Sequence, residues 1–204
     1  MRKLSEETFT VFDLETTGGR PETNGILEIG MVKVRGNQLI DRYATLVNPC
    51  FPIPPIVRRM TGINDEMVIN APLFQEIADP ILNFVDCDIL VVHNGPFDLQ
   101  FLNYYLQQTQ KITLLNPLLC TVKLGERLLP DAPNRRLETL AQYLDLPFPG
   151  RHRAWGDAEV TAQLFITCLR RLEEQGIETL GQLTRWLYKP MPKPTPAVDA
   201  AEKT

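Results

Sequence analysis

Two carboxylates two residues apart, Asp13 and Glu15, sit in the stretch Val-Phe-Asp-Leu-Glu-Thr-Thr-Gly-Gly at 11–19. The stretch opens as an apolar strand and ends in a glycine turn. Side chains two apart on a strand leave the same face, so both carboxylates emerge close together among apolar neighbours. Burying like charges in that way is costly unless something neutralises them. A divalent cation is the usual solution, because hard cations take oxygen ligands. The plainer alternative is a strand end whose carboxylates face water.

Two more acidic residues have spacing that brings them into play. Asp98 ends His-Asn-Gly-Pro-Phe-Asp at 93–98, and Asp157 ends His-Arg-Ala-Trp-Gly-Asp at 152–157. Asp98 follows a buried strand, where α/β sheets build their sites. Both residues also fall at helix starts, where an acid simply complements the helix dipole. His152 lies in a loop beside this acidic set and can exchange a proton near neutral pH. The only other histidine, His93, ends a buried strand and reads as a structural hydrogen-bonding residue. Met60-Thr61-Gly62-Ile63 is, by itself, a turn.

The elements that must position these groups are strands first, then strands alternating with helices. Strands are expected at Thr8–Leu14, Ile26–Val34 and Leu39–Val47, the last two joined by Gly36-Asn37 as a hairpin. A short buried strand is expected at Asp88–His93 and a fifth at 112–118. Helices are expected at Pro55–Met60, ending at Gly62, and at Ala71–Val85, with Pro80 bending it. Further helices are expected at Phe97–Gln107, Thr121–Leu129, Leu137–Leu144, Ala154–Gln175 and Thr179–Leu187. The order predicts an α/β protein, with a mixed sheet covered by helices. Residues 188–204, with Pro190, Pro192, Pro194 and Pro196, cannot build a core and are expected to form a mobile tail.

Composition narrows the class. The chain has 204 residues, 44% apolar and 23% charged, which suits one soluble domain with a stable core. No apolar run is long enough to span a bilayer. The start, Met-Arg-Lys-Leu-Ser-Glu-Glu, lacks the apolar segment of a signal peptide. Cys50, Cys87, Cys120 and Cys168 are widely spaced and read as reduced core thiols of a cytoplasmic protein. A net charge of −4 argues against electrostatic binding of long duplexes, and leaves room for a short single-stranded end.

Taken together, the order Asp-x-Glu, Asp, His-x4-Asp resembles the DEDD superfamily of 3′–5′ exonucleases in its histidine variant. Among its members, the proofreading (epsilon) subunits of bacterial DNA polymerase III are the nearest in pattern. Phe-Asp-Leu-Glu-Thr-Thr-Gly, His-Asn-Gly-Pro-Phe-Asp and His-Arg-Ala-Trp-Gly-Asp-Ala match the three motifs, and Ile-Leu-Glu-Ile-Gly and Thr-Gly-Ile fit between them. The resemblance covers about residues 8–172, and three weak motifs in order make a strong one.

The resemblance implies a ribonuclease-H-like fold, with a mixed five-stranded sheet flanked by helices and an exonuclease domain over 1–187. It also implies hydrolysis with two Mg2+ or Mn2+ ions. Asp13, Glu15 and Asp157 would hold the first ion; Asp13 would bridge to the second, supported by Asp98. His152 would take the proton of the attacking water. Thr16 and Thr17 would hold the terminal 3′-hydroxyl through hydroxyl and amide, and Ile63 and Phe97 would pack against the last bases. Asn94 would cap a helix or orient a site group, and Glu28 would stay structural. Arg135, Arg136, Arg151 and Arg153 could contact phosphates or form a solvated basic face. The expected substrate is a single-stranded or frayed DNA 3′ end, with RNA open because no residue announces a 2′-hydroxyl contact. Two other classes compete: a metal-free glycosidase built on paired carboxylates, and a tethering module that cuts nothing.

Overall fold

The computed structural model describes residues 2–190. A meander opens the chain: β1 (Thr8–Thr16), β2 (Ile26–Arg35) and β3 (Gln38–Leu46) pair antiparallel. Three helices follow, α1 (Pro55–Thr61), α2 (Asp65–Val68) and α3 (Phe74–Val85). Then β4 (Ile89–Val92), α4 (Pro96–Gln110), β5 (Leu118–Cys120), α5 (Thr121–Leu128), α6 (Leu137–Tyr143), α7 (Ala154–Glu174) and α8 (Leu180–Tyr188) complete the order. The five-stranded sheet runs β3-β2-β1-β4-β5, with β4 and β5 parallel to their neighbours, so the mixed sheet expected from the sequence is present.

β1 is central and alternates between two cores. Phe9 and Val11 point with Val32 and Val34 toward α7, where Phe9 meets Phe165 edge-on at 4.8 Å. Phe12 and Leu14 point with Ile29 and Met31 toward Ile81 of α3 and Phe101 and Leu102 of α4. Each buried side chain of this size contributes about 1.5–3 kcal/mol, so the two cores lock the face on which every β1 residue stands. A third, smaller core under α1 and α2 encloses Leu27, Val57, Ile63 and Val68.

The fifth strand sits at Leu118–Cys120 rather than at 112–118. Side-chain bonds hold the preceding segment instead: Asn103 Oδ1 accepts from the Leu114 amide at 2.8 Å, and Asn116 Nδ2 donates to Asp86 and Asp88 carbonyls. Pro117, which has no amide hydrogen, precedes the strand and accepts from the Leu90 amide. The short α2 was not anticipated; Asn64 caps it by accepting from the Met67 amide. Cys50 and Cys87 are exposed, not core thiols, and only Cys168 is fully buried. Helix α8 holds the amphipathic stretch Gln182–Leu187, with Leu183 buried in the main core, and runs one residue past the expected domain limit. The remainder of the expected tail, 191–204, lies outside the described residues. Among the described residues, no helix is long and apolar enough to cross a membrane.

Candidate active site

Asp13 and Glu15 share the β1 face with Phe9 and Val11, so they point to where α7 begins. That helix must come unusually close. Gly30 stands opposite Asp13 in the register of β2, and a Cβ there would meet the Ala154 carbonyl oxygen at 2.2 Å. Only glycine lets the first turn of α7 lie on the sheet. Glu28, two residues earlier on the same face, anchors that turn. It accepts from the Ala154 amide at 2.8 Å and takes both Nε and Nη2 of Arg153, at 2.9 and 2.6 Å. Asp157, one turn into α7, is thereby delivered to the carboxylates of β1. Ligand oxygens of Asp13, Glu15 and Asp157 all lie within 4.8 Å of one another.

Asp98 arrives from the opposite layer. β4 pairs with β1 only along Phe9–Val11, so the edge of β1 beyond Val11 is free of a strand on that side. The Leu14 amide there donates to Asp98 Oδ1 at 3.3 Å. Asp98 stands in the first turn of α4, which packs through Phe101, Leu102 and Leu106. Acidic groups from three elements thus meet at the carboxyl end of β1.

Their electrostatics are strained. Burial, then the charges of Asp98, Asp157, Glu15 and Glu28, holds the Asp13 carboxyl well above the usual range. Burial and the Asp157, Glu28 and Asp98 charges push Glu15 up to about 8, with Arg153 opposing. Burial raises Asp98 to about 7 against the bonds from the amides of Leu14 and of Asp98 itself. It raises Asp157 to about 6 against a bond from the His152 amide. Asp157 Oδ1 is buried with no hydrogen-bond partner among the described residues, an arrangement that native structures avoid unless something else fills the need. The donors are all carboxylate oxygens, without cysteine or clustered histidine, so the set fits a hard divalent cation.

His152 lies at the rim, its side chain 37% exposed. It lines a groove of about 580 Å3 with Asp157, Asn94, Arg136, Glu138 and Arg151. The structure therefore brings Asp13, Glu15, Asp98 and Asp157 together and sets His152 beside them. His93 makes the structural bond expected of it: Nδ1 is 2.8 Å from Thr121 Oγ1, and burial lowers its pKa to about 4.

The expected substrate contacts divide. Phe97 packs on Phe101 at 4.9 Å, yet keeps 36% of its surface open. Thr16 closes its own turn, its Oγ1 donating to the Gly18 carbonyl at 2.8 Å. Thr17 is a correction. Its amide donates to the Gly25 carbonyl, its hydroxyl accepts from the Gly25 amide, and it is buried, so neither group is free for a 3′-hydroxyl. Ile63 is a second correction: it is fully enclosed in the core under α1 and α2, with no face for a base. Asn94, exposed at φ 71°, does not cap α4, whose N-cap is Gly95. Arg153 is taken by Glu28, Arg151 by Glu138 and Arg135 by the Ala132 and Asn134 carbonyls, which leaves Arg136 as the open phosphate candidate. Glu28 is structural, as expected from the sequence. What residue-type reasoning passed over is Gly30, whose missing side chain admits the first turn of α7.

Known proteins match this arrangement. The exonuclease family model matches residues 10–165. A DNA polymerase III subunit epsilon of Aquifex aeolicus is 34% identical over 169 residues, covering 83% of this chain and 84% of its own. A DNA polymerase III PolC-type of Caldanaerobacter subterraneus is 37% identical over 184 residues, and the chain spans only 13% of its length. Exonuclease X, solved in complex with 5′-overhanging duplex DNA, superposes with a TM-score of 0.68 at 28% identity, covering 88% of this chain and 99% of that one. Escherichia coli exonuclease I, with a dT13 oligonucleotide, shares the ribonuclease-H-like fold at TM-score 0.72 and 16% identity, covering 84% of this chain and 43% of its own. With its four carboxylates, its histidine and the sheet that gathers them, the chain belongs to the exonuclease family.

Proposed function

We propose that the chain is a divalent-metal-dependent 3′–5′ exonuclease that releases nucleoside 5′-monophosphates from single-stranded or frayed DNA ends. The observation that carries this reading is the trio Asp13, Glu15 and Asp157, with oxygens within 4.8 Å and one of them buried and unpaired. Asp13, Glu15 and Asp157 would hold one Mg2+ or Mn2+ ion, and Asp13 with Asp98 a second. Such ions, when bound, neutralise charge on the scissile phosphate and make water more acidic. His152 accepts the proton of the attacking water at an imidazole nitrogen. The open ring face of Phe97 stacks on a terminal base, Thr16 contacts the terminal sugar, and Arg136 meets a phosphate.

DNA is favoured as substrate because the epsilon and PolC-type relatives both carry DNA polymerase III in their names, and exonuclease X was solved on DNA. The same relatives make a DNA polymerase the partner to test, with proofreading or repair as the setting.

The test uses 5′-labelled single-stranded DNA, a 3′-mismatched primer–template and matching RNA, with Mg2+, Mn2+ or EDTA. A metal-dependent ladder shortening from the 3′ end, fastest on DNA and lost in His152→Ala, supports the reading. Faster loss of RNA overturns the DNA assignment. Cleavage that persists in EDTA, or no cleavage with either metal, overturns the metal-dependent exonuclease.

A further inference from the structure

The loop that carries His152 is gripped from both sides. On one side, Arg153 is bound by Glu28 of β2 through two side-chain bonds. On the other, Arg151 ion-pairs with Glu138 in the first turn of α6. His152 sits between these two arginines in the left-handed region, at φ 56°. A residue with a side chain adopts that conformation seldom, and keeps it only where the surroundings over-determine it. The His152 Nε2 lies 3.9 Å from Glu138 Oε1. Glu138, His152 and Asp157 line the same groove.

We propose that Glu138 is a positioning residue for His152: by holding Arg151 opposite the Glu28–Arg153 pair, it clamps the short span 151–153 and fixes the imidazole at the edge of the acidic site. The inference rests on the exonuclease reading of that site. A purely structural role fits poorly. The side chains of Arg151 and Glu138 are 58% and 43% exposed, and exposed pairs add little to global stability. What such a pair can do is choose one conformation of a loop, and this loop carries the proton acceptor. Because the fold does not depend on the pair, its removal separates positioning from folding.

The test uses the full chain. Glu138→Gln, Glu138→Ala, Arg151→Ala, the exchanged pair Glu138→Arg with Arg151→Glu, and Glu138→Gln combined with His152→Ala are compared for hydrolysis of single-stranded DNA with Mn2+. A second readout needs neither metal nor substrate. The Trp155 ring packs against Gly150 of the same loop, and Trp186 is the only other tryptophan. In a Trp186→Phe background, Trp155 fluorescence anisotropy therefore reports how well the loop is held.

The single Glu138 variants are expected to lower kcat roughly tenfold to a hundredfold with KM within about twofold, the pattern of a misplaced group. They are also expected to lower the Trp155 anisotropy, and the exchanged pair to restore most of both. Added to His152→Ala, the Glu138→Gln change is expected to cost nothing further, because it acts through His152. Wild-type kcat and anisotropy in Glu138→Gln would overturn the proposal. So would a further loss in the double variant equal to the loss in the wild-type background. If the wild type itself cuts nothing, the exonuclease reading falls, and the anisotropy alone decides whether Glu138 clamps the loop.

Discussion

Acidic side chains are buried in two ways in this sheet. Glu28 is met by three N–H groups, two from Arg153 and one from Ala154. Asp88, beside the start of β4, receives the Thr10 hydroxyl and the Lys33 ammonium, each at 2.8 Å. Asp13, Glu15, Asp98 and Asp157 instead have mainly one another for neighbours, and each has a raised pKa. The carboxylates paired with cations and N–H groups hold elements together; the crowded ones are held together by them. A few residues apart on the same face of β2 and β1, the same chemistry serves structure in one place and stored charge in the other. The stored charge is affordable because cores on both faces of β1 fix its backbone independently.

Neutralising a stored charge should break function and spare the fold. Asp13→Asn is expected to reduce nuclease activity at least about a thousandfold, the scale of losing metal-supplied charge stabilisation; a gel-based turnover assay measures it. Removing a satisfied carboxylate should do the reverse in kind. Glu28→Ala leaves Arg153 and the Ala154 amide without their partner and is expected to cost about 3 kcal/mol, seen as a lower urea midpoint. Gly30→Ala tests the link between the two. Its Cβ would collide with backbone of Ala154 and Trp155, moving Asp157 off the site. Turnover should fall about a hundredfold, with a destabilisation of about 1–3 kcal/mol.

The pH dependence of the metal-free protein sharpens the contrast with a smaller effect. Glu15, Asp98 and Asp157 hold protons in the fold up to about 8, 7 and 6. Unfolded, they would release them near 4. The folded state therefore binds more protons, so their contribution is full below about pH 4 and is lost as pH rises through those folded values. His93 has the opposite sign. Its pKa is lowered to about 4, so its contribution is full above about pH 6.5 and is lost as pH falls toward 4. In EDTA, thermal midpoints should accordingly decline between about pH 6 and 8, and more steeply than in Asp13→Asn.

The parts of this molecule written in local patterns could be read in advance. Asp13 and Glu15 needed only strand alternation, and Asp98 and Asp157 only the strand–turn–helix boundaries around them. His93 was separable from His152 because one ends an apolar run and the other lies in a loop. The rest depends on long-range pairing. Glu28 was expected to be structural, but its partner lies 126 positions away and nothing near it announces Ala154. Thr17 lost its hydroxyl and amide to Gly25 because the 16–25 turn folds back on itself. Ile63 was expected to pack against a base because its turn was visible while the α1–α2 core that covers it was not. β5 was misplaced because side chains of Asn103 and Asn116, not strand pairing, hold the residues before it.

The claim that these carboxylates are gathered for cations is tested most directly by thermal unfolding of the wild type and Asp13→Asn at pH 8, each with EDTA and with Mn2+. The account predicts that without metal Asp13→Asn melts above the wild type, because one ionisable member of the crowded carboxylate set is gone. It predicts that Mn2+ raises the wild-type midpoint and leaves the variant nearly unmoved. A variant that melts below the wild type in EDTA, together with a wild type indifferent to Mn2+, would contradict it.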